Sequence, residues 1–168
     1  LIAAQPKDLE ASEIEVRLGA TWLDKKYIEQ FMYETFETPR YLRGQIEISY
    51  VPYTAEWQVS RKSMVRYNDV AAFTTYGTDR ASAYRLLEDA LNLRDIRIYD
   101  TIEDADGRER RVLNAKETTL AAQKQQLIRD AFKDWIWKDP ERRETLVRQY
   151  NEEMNSTRPR EYDGSHIV

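Results

Sequence analysis

The chain has 168 residues, with 26 Lys+Arg against 30 Asp+Glu, one histidine and no cysteine. That length suits one domain, and 41% apolar with 33% charged residues is too hydrophobic for a wholly disordered chain and too polar for lipid. The missing cysteines exclude disulfides, thiolate zinc sites and cysteine nucleophiles, and the lone histidine, His166, nearly excludes a metal hydrolase, which needs clustered ligands.

From Leu1 to about Thr21 polar and apolar residues mix without a sustained period, and Pro6 argues against an early helix. Asp24 caps an expected helix to about Glu37, with Tyr27, Ile28, Phe31, Met32 and Phe36 on one stripe, and Thr38-Pro39 ends it. Residues 45–50 and 56–60 alternate strictly around Pro52 to Ala55, which predicts a β-hairpin with Ile46, Ile48, Tyr50, Trp57 and Val59 facing inward. Ala71 to Tyr76 reads as a third extended piece. Thr78 or Asp79 is then the expected cap of a helix to about Asn92, whose stripe is Ala83, Leu86, Leu87, Ala90 and Leu91.

Residues 97–102 and 110–113 flank Asp104-Ala105-Asp106-Gly107, and Asp-Gly between two β-like runs is a strong hairpin signal. The longest helical pattern runs from about Ala115 to Trp137, with Leu120, Leu127, Ile128, Ala131, Phe132, Trp135 and Ile136 on one face. Asp139-Pro140 restarts a helix, a capping carboxylate followed by proline at the first helical position. That helix carries Leu146, Val147, Tyr150 and Met154 and fades near Asn155. The expected fold class is therefore α+β: a small antiparallel sheet of two hairpins packed by four helices. One domain is expected over 1–168, with an irregular lead-in at 1–21, a core at 22–155 and a tail at 156–168. The start at Leu1 and the end at Val168 together suggest a piece excised from a longer polypeptide.

Few residues offer chemistry. No apolar run approaches the roughly 20 residues of a membrane-spanning helix, and the opening LIAAQPKDLE lacks the pattern of a secretory signal. No membrane partner is expected, and the location is expected to be the cytoplasm. A Ser–His–acid arrangement would depend on His166, close to the chain end. The five glycines are too scattered for a dinucleotide fingerprint, there is no GxxxxGK[ST] loop, and the acidic turn at 103–107 lacks the other oxygen ligands of a calcium loop. Carboxylate pairs such as Asp130 and Asp134, or Glu152 and Glu153, read as the wet faces of helices. No catalytic residue, metal or cofactor is assigned.

The net charge of −4 hides an uneven distribution, because residues 39–67 hold five basic and two acidic side chains. Arg40, Tyr41, Arg43, Tyr53, Trp57, Arg61, Lys62, Arg66 and Tyr67 mix cations with stacking surfaces there, a combination suited to phosphates and unpaired bases. Arg40, Arg43, Tyr53, Arg61, Lys62 and Arg66 are the candidate nucleic-acid contacts. Against them, Glu47 and Glu56 fall on the hairpin's outward face, and the pI near 5.2 is low for a dedicated binder. A second basic cluster, Arg108, Arg110 and Arg111, is interleaved with Glu109 and is weaker.

Read in order, Arg17-Leu18-Gly19-Ala20-Thr21-Trp22-Leu23, Tyr27 to Met32, Thr75-Tyr76-Gly77-Thr78, Ala90 to Asp95, Asp134 to Arg143, Tyr150-Asn151-Glu152 and Asn155 to His166 resemble the middle of very large bacterial proteins of plasmids, phages and conjugative elements. Those proteins join an adenine-specific DNA methylase region to a Swi/Snf-type DEAD/DEAH-box helicase and include antirestriction proteins. The resemblance spans nearly the whole chain and implies a connector lying just before the helicase motor. Neither the motor's ATP-binding loop nor a methylase Asn/Asp-Pro-Pro-Tyr motif lies in these residues, so neither activity carries over. The leading expectation is a non-catalytic accessory domain with neighbouring methylase and helicase domains as partners, touching DNA through 40–67. The alternatives are a protein-interaction module and an enzyme with an unrecognised carboxylate site.

Overall fold

The computed structural model describes residues 7–155, so His166, the 156–168 tail and the last segment of the resemblance lie outside the described residues. The fold is α+β, and its described residues divide into two compact units, one of residues 17–134 and one of residues 7–16 with 135–155.

In the larger unit, α1 (Lys25–Thr35) starts where the Asp24 carboxylate accepts from the Lys26 N–H at 2.9 Å. It buries Tyr27, Ile28, Phe31 and Met32. It ends in a left-handed Glu37 (φ 49), after which the Thr38 N–H returns to the Tyr33 carbonyl at 3.0 Å. β1 (Ile48–Val51) pairs with β2 (Glu56–Val59), Ile48 opposite Val59 and Tyr50 opposite Trp57. Ile46, Ile48, Trp57 and Val59 are buried as their alternation requires, while Tyr50 is half-buried with its ring 4.8 Å from that of Trp57.

Ala71 to Tyr76 is not extended. It is a helical turn over Ala71–Thr75 closed by Tyr76 N–H to Ala71 C=O at 2.9 Å. The cause is Asp69, whose carboxylate accepts from the Ala72 N–H and starts the turn, and its small Ala71 and Ala72 are buried. α2 (Ala83–Leu91) is capped by Ser82 and not by Thr78 or Asp79. Thr78 instead closes a tight turn with Ala81. Gly19 lies against the end of α2 at φ +90, where an added Cβ would fall 2.3 Å from the Leu91 carbonyl oxygen, so only glycine fits.

β3 (Tyr99–Glu103) and β4 (Glu109–Leu113) form a second antiparallel ladder that shares no hydrogen bonds with the first. In its turn Gly107 takes a positive φ (77) while Asp106 does not. Gly107 N–H donates to the Asp104 carbonyl, and the Asp104 N–H donates to the Arg108 carbonyl. α3 (Ala115–Ile136) follows at once, with Asn114 accepting from the Glu117 N–H. The aromatic core of this unit sets Phe31 edge-on to Phe132 at 5.1 Å and Phe36 edge-on to Tyr84 at 5.2 Å. The buried Tyr84 hydroxyl shares a 2.6 Å hydrogen bond with Thr38, and burial pushes its phenol up to about 12.

In the smaller unit α4 (Pro140–Tyr150) begins at Asp139, whose carboxylate accepts from the Arg142 N–H. Arg142 is buried: its guanidinium lies 3.6 Å over the Trp135 ring and donates to the carbonyls of Trp135 and Ile136, so its charge meets the last carbonyls of α3. Asn151 holds the N-terminal segment, accepting from the Leu9 N–H at 2.8 Å and donating to the Leu9 carbonyl at 3.0 Å.

Candidate nucleic-acid interface

The segment 39–67 is built around two cations that serve the fold. Arg43 Nε donates to the Thr38 carbonyl at 2.9 Å and its guanidinium lies 5.8 Å from the Tyr33 ring, which closes the end of α1. Lys62 lies 2.7 Å from the Glu88 carboxylate of α2 and also donates to the Val59 carbonyl. Arg43 is exposed, while Lys62 is half-buried in its ion pair. Glu56, on the outward phase of the hairpin, is turned to Arg94 at 2.6 Å.

Arg40, Arg61 and Arg66 are exposed, and among the described residues no carboxylate pairs with them. Arg61 follows β2 in the left-handed region (φ 54) and leads into a 3-10 turn at Lys62–Met64. Val65 is buried and pins the segment, and Asp69 N–H to Arg66 C=O closes the next turn. Between these anchors Tyr67 is 88% exposed, with Met64 and Val70 also open. Arg40 opens a separate 3-10 turn, Arg40–Leu42, and at the base of the first hairpin Ser60 Oγ bonds Gln45 and Glu47. Tyr41 is exposed and Trp57 is buried.

Tyr53 is 97% exposed but sits at the turn of the hairpin. The ladder of four residue pairs, spanning roughly 13 Å at ~3.3 Å per residue, separates it from Arg61. The structure therefore brings Arg61, Arg66 and Tyr67 together on one short segment and leaves Tyr53 apart. Met64 and Val70 were not legible as surface residues, because an isolated apolar side chain in sequence reads as core.

Elsewhere the choices are sparse. Arg110 pairs with Asp104 at 3.0 Å and the Arg111 guanidinium lies 4.1 Å from the Tyr99 ring. Among the described residues no three His, Asp or Glu side chains are grouped to hold a metal ion, and no helix is long and apolar enough to cross a membrane. A groove of about 860 Å³ lies in the smaller unit between Asp8–Ala11 and α4. Its charged lining residues, Arg143, Glu144, Arg148 and Glu152 among them, are all exposed, so it offers no desolvated acid or base. No curated protein and no solved structure matches this chain. A family model described as "Domain of unknown function (DUF8437)" matches residues 17–156, and the chain belongs to that family.

Proposed function

We propose that this chain is a non-catalytic accessory domain of a cytoplasmic DNA-processing polypeptide, lying between a methylase region and a helicase motor, and that it touches DNA through Arg61 to Val70, with Arg40 as a further candidate contact. The observation that supports this reading is the juxtaposition of Arg61, Arg66 and a Tyr67 that is 88% exposed, on a segment held by the buried Val65 and by the Asp69 cap. Unpaired guanidinium groups suit phosphates, and an exposed tyrosine offers a stacking face for an unpaired base. The methylase and helicase neighbours rest on the resemblance of the ordered segments from Arg17 to His166.

The test is fluorescence anisotropy with a labelled single strand and the matching duplex at two salt concentrations. With about three phosphate contacts, log K should fall with log salt at a slope of roughly −2 to −3. Arg61→Ala with Arg66→Ala should flatten that slope by about two contacts, whereas Tyr53→Ala, at the far end of the hairpin, should leave it unchanged. Binding that ignores salt, or a slope indifferent to the double substitution, would remove DNA from the assignment. Lys62→Ala is a poor probe, because it also strips Glu88 of its ion pair.

A further inference from the structure

The second hairpin carries an unused binding edge. Asn114 N–H donates to the Ile98 carbonyl and Asp104 N–H to the Arg108 carbonyl, so by the antiparallel alternation Arg110 and Val112 bond into the ladder. The peptide groups of Glu109, Arg111 and Leu113 then point outward, and among the described residues no hydrogen bond engages them. Every residue of β4 is exposed, on both faces of the ribbon. A two-stranded ribbon with one strand open along its whole length is marginal by itself, and a third strand is what would stabilise it.

We propose that the outer edge of β4 receives an extended segment of a partner protein as a third strand, with carboxylates facing Arg110 and Arg111 and branched aliphatic side chains facing Val112 and Leu113. The backbone supplies affinity and the side chains supply the choice of partner. Three observations favour this occupant. Outward groups on β3 are partly engaged, because Arg80 Nη2 donates to the Tyr99 carbonyl at 2.8 Å, and β3 contributes Asp100 and Glu103, so a cation-poor acidic strand is directed to β4. Residues 108–113 hold three arginines against one glutamate, so the β4 side of the ribbon carries the positive charge that a carboxylate-bearing strand would meet. Two copies of β4 paired over all five residues would be related by a two-fold axis at Arg111 and set that arginine against its own counterpart, a like-charge pair that disfavours self-association in this register.

The inference is independent of the DNA contact at 61–70. It is tested by amide hydrogen exchange and nitrogen–proton NMR spectra of the whole chain with two acetylated, amidated peptides, TVVEEKT and its charge-swapped form TVVKKET. Antiparallel pairing sets the two valines on Leu113 and Val112 and the two glutamates on Arg111 and Arg110. TVVEEKT should slow exchange at the Glu109, Arg111 and Leu113 amides by about tenfold or more, and TVVKKET should not. Glu109→Pro removes an outward N–H that the ladder does not use, so it should abolish the protection while the Arg110 and Val112 amides stay bonded. No protection, equal protection by both peptides, protection at Thr101 and Glu103 instead, retention in Glu109→Pro, or dimerisation through the ribbon would each overturn the assignment.

Discussion

In the first hairpin, helices supply the hydrogen bonds that a sheet neighbour would otherwise make. The Trp57 N–H and C=O are both held by Asn92 at 2.7 and 2.8 Å, the Val59 N–H by Glu88 at 2.8 Å and the Val59 carbonyl by Lys62. On the other side the Ile48 N–H donates to Glu29 of α1 at 2.8 Å. In the second hairpin the outward peptide groups of β4 meet nothing among the described residues. Both are four- or five-residue antiparallel ladders closed by short turns. The difference lies in whether a helix end with the right polar side chains runs alongside, and it separates a piece of core from a surface arm.

The same device recurs where an extended segment lies beside a helix. Gln125, buried on α3, accepts from the Ile96 N–H at 3.1 Å and donates to the Arg94 carbonyl at 2.9 Å. Asn151 treats Leu9 as Asn92 treats Trp57, and each asparagine also donates back to the carbonyl four residues before it in its own helix. An amide offers one acceptor and two donors, so it can satisfy both peptide groups of a neighbouring residue and still bond its own helix. A carboxylate cannot.

The strongest way to break the contrast is Asn92→Ala. It leaves both peptide groups of the buried Trp57 without partners and should cost about 3 kcal/mol by urea unfolding. If the loss is below about 1 kcal/mol, the edges of the first hairpin are not held by α2. A paired comparison comes next. Val59→Ala removes two methyls from a residue 2% exposed and should cost about 2 kcal/mol, while Val112→Ala, at 38% exposed, should cost less than about 0.5 kcal/mol. Equal losses would mean that the ribbon belongs to the core after all.

Sequence carried the local half of this architecture. Asp24 and Asp139 were readable as caps because a capping carboxylate acts on amides two or three residues away. The two hairpins were readable from alternation and from Asp-Gly. What escaped was long-range. Glu29, Glu88 and Asn92 lie 19 to 35 residues from the strands they hold and look in sequence like ordinary wet-face residues. The candidate site suffered for the same reason. Arg43 and Lys62 read as parts of a basic patch, yet Lys62 answers a carboxylate 26 residues away and Arg43 closes a helix end. Tyr53 was grouped with Arg61 by closeness along the chain, and the ladder between them undoes that closeness.

The smallest effect sharpens the comparison at the base of the second hairpin. Arg80 reaches across to β3, placing Nη1 2.8 Å from the Asp100 carboxylate, whose other oxygen accepts from Asn114 at 2.9 Å. The Arg80 hydrogen bond, then that from Asn114, holds the Asp100 carboxyl below the usual aspartate range. A carboxyl whose folded value is depressed contributes stability above its unfolded value, near 3.9, and loses it as pH falls through the folded value. The tie should therefore survive at neutral pH and dissolve only in acid. In Arg80→Ala, NMR titration of the Asp100 carboxyl should return it toward the ordinary range, while melting at neutral pH hardly moves, because an exposed pair contributes little. The β3–β4 cross-strand contacts should loosen in acid before those of β1–β2, since only the second hairpin lacks helices along its outer edge. Simultaneous loosening of the two would mean that their edges are equally protected.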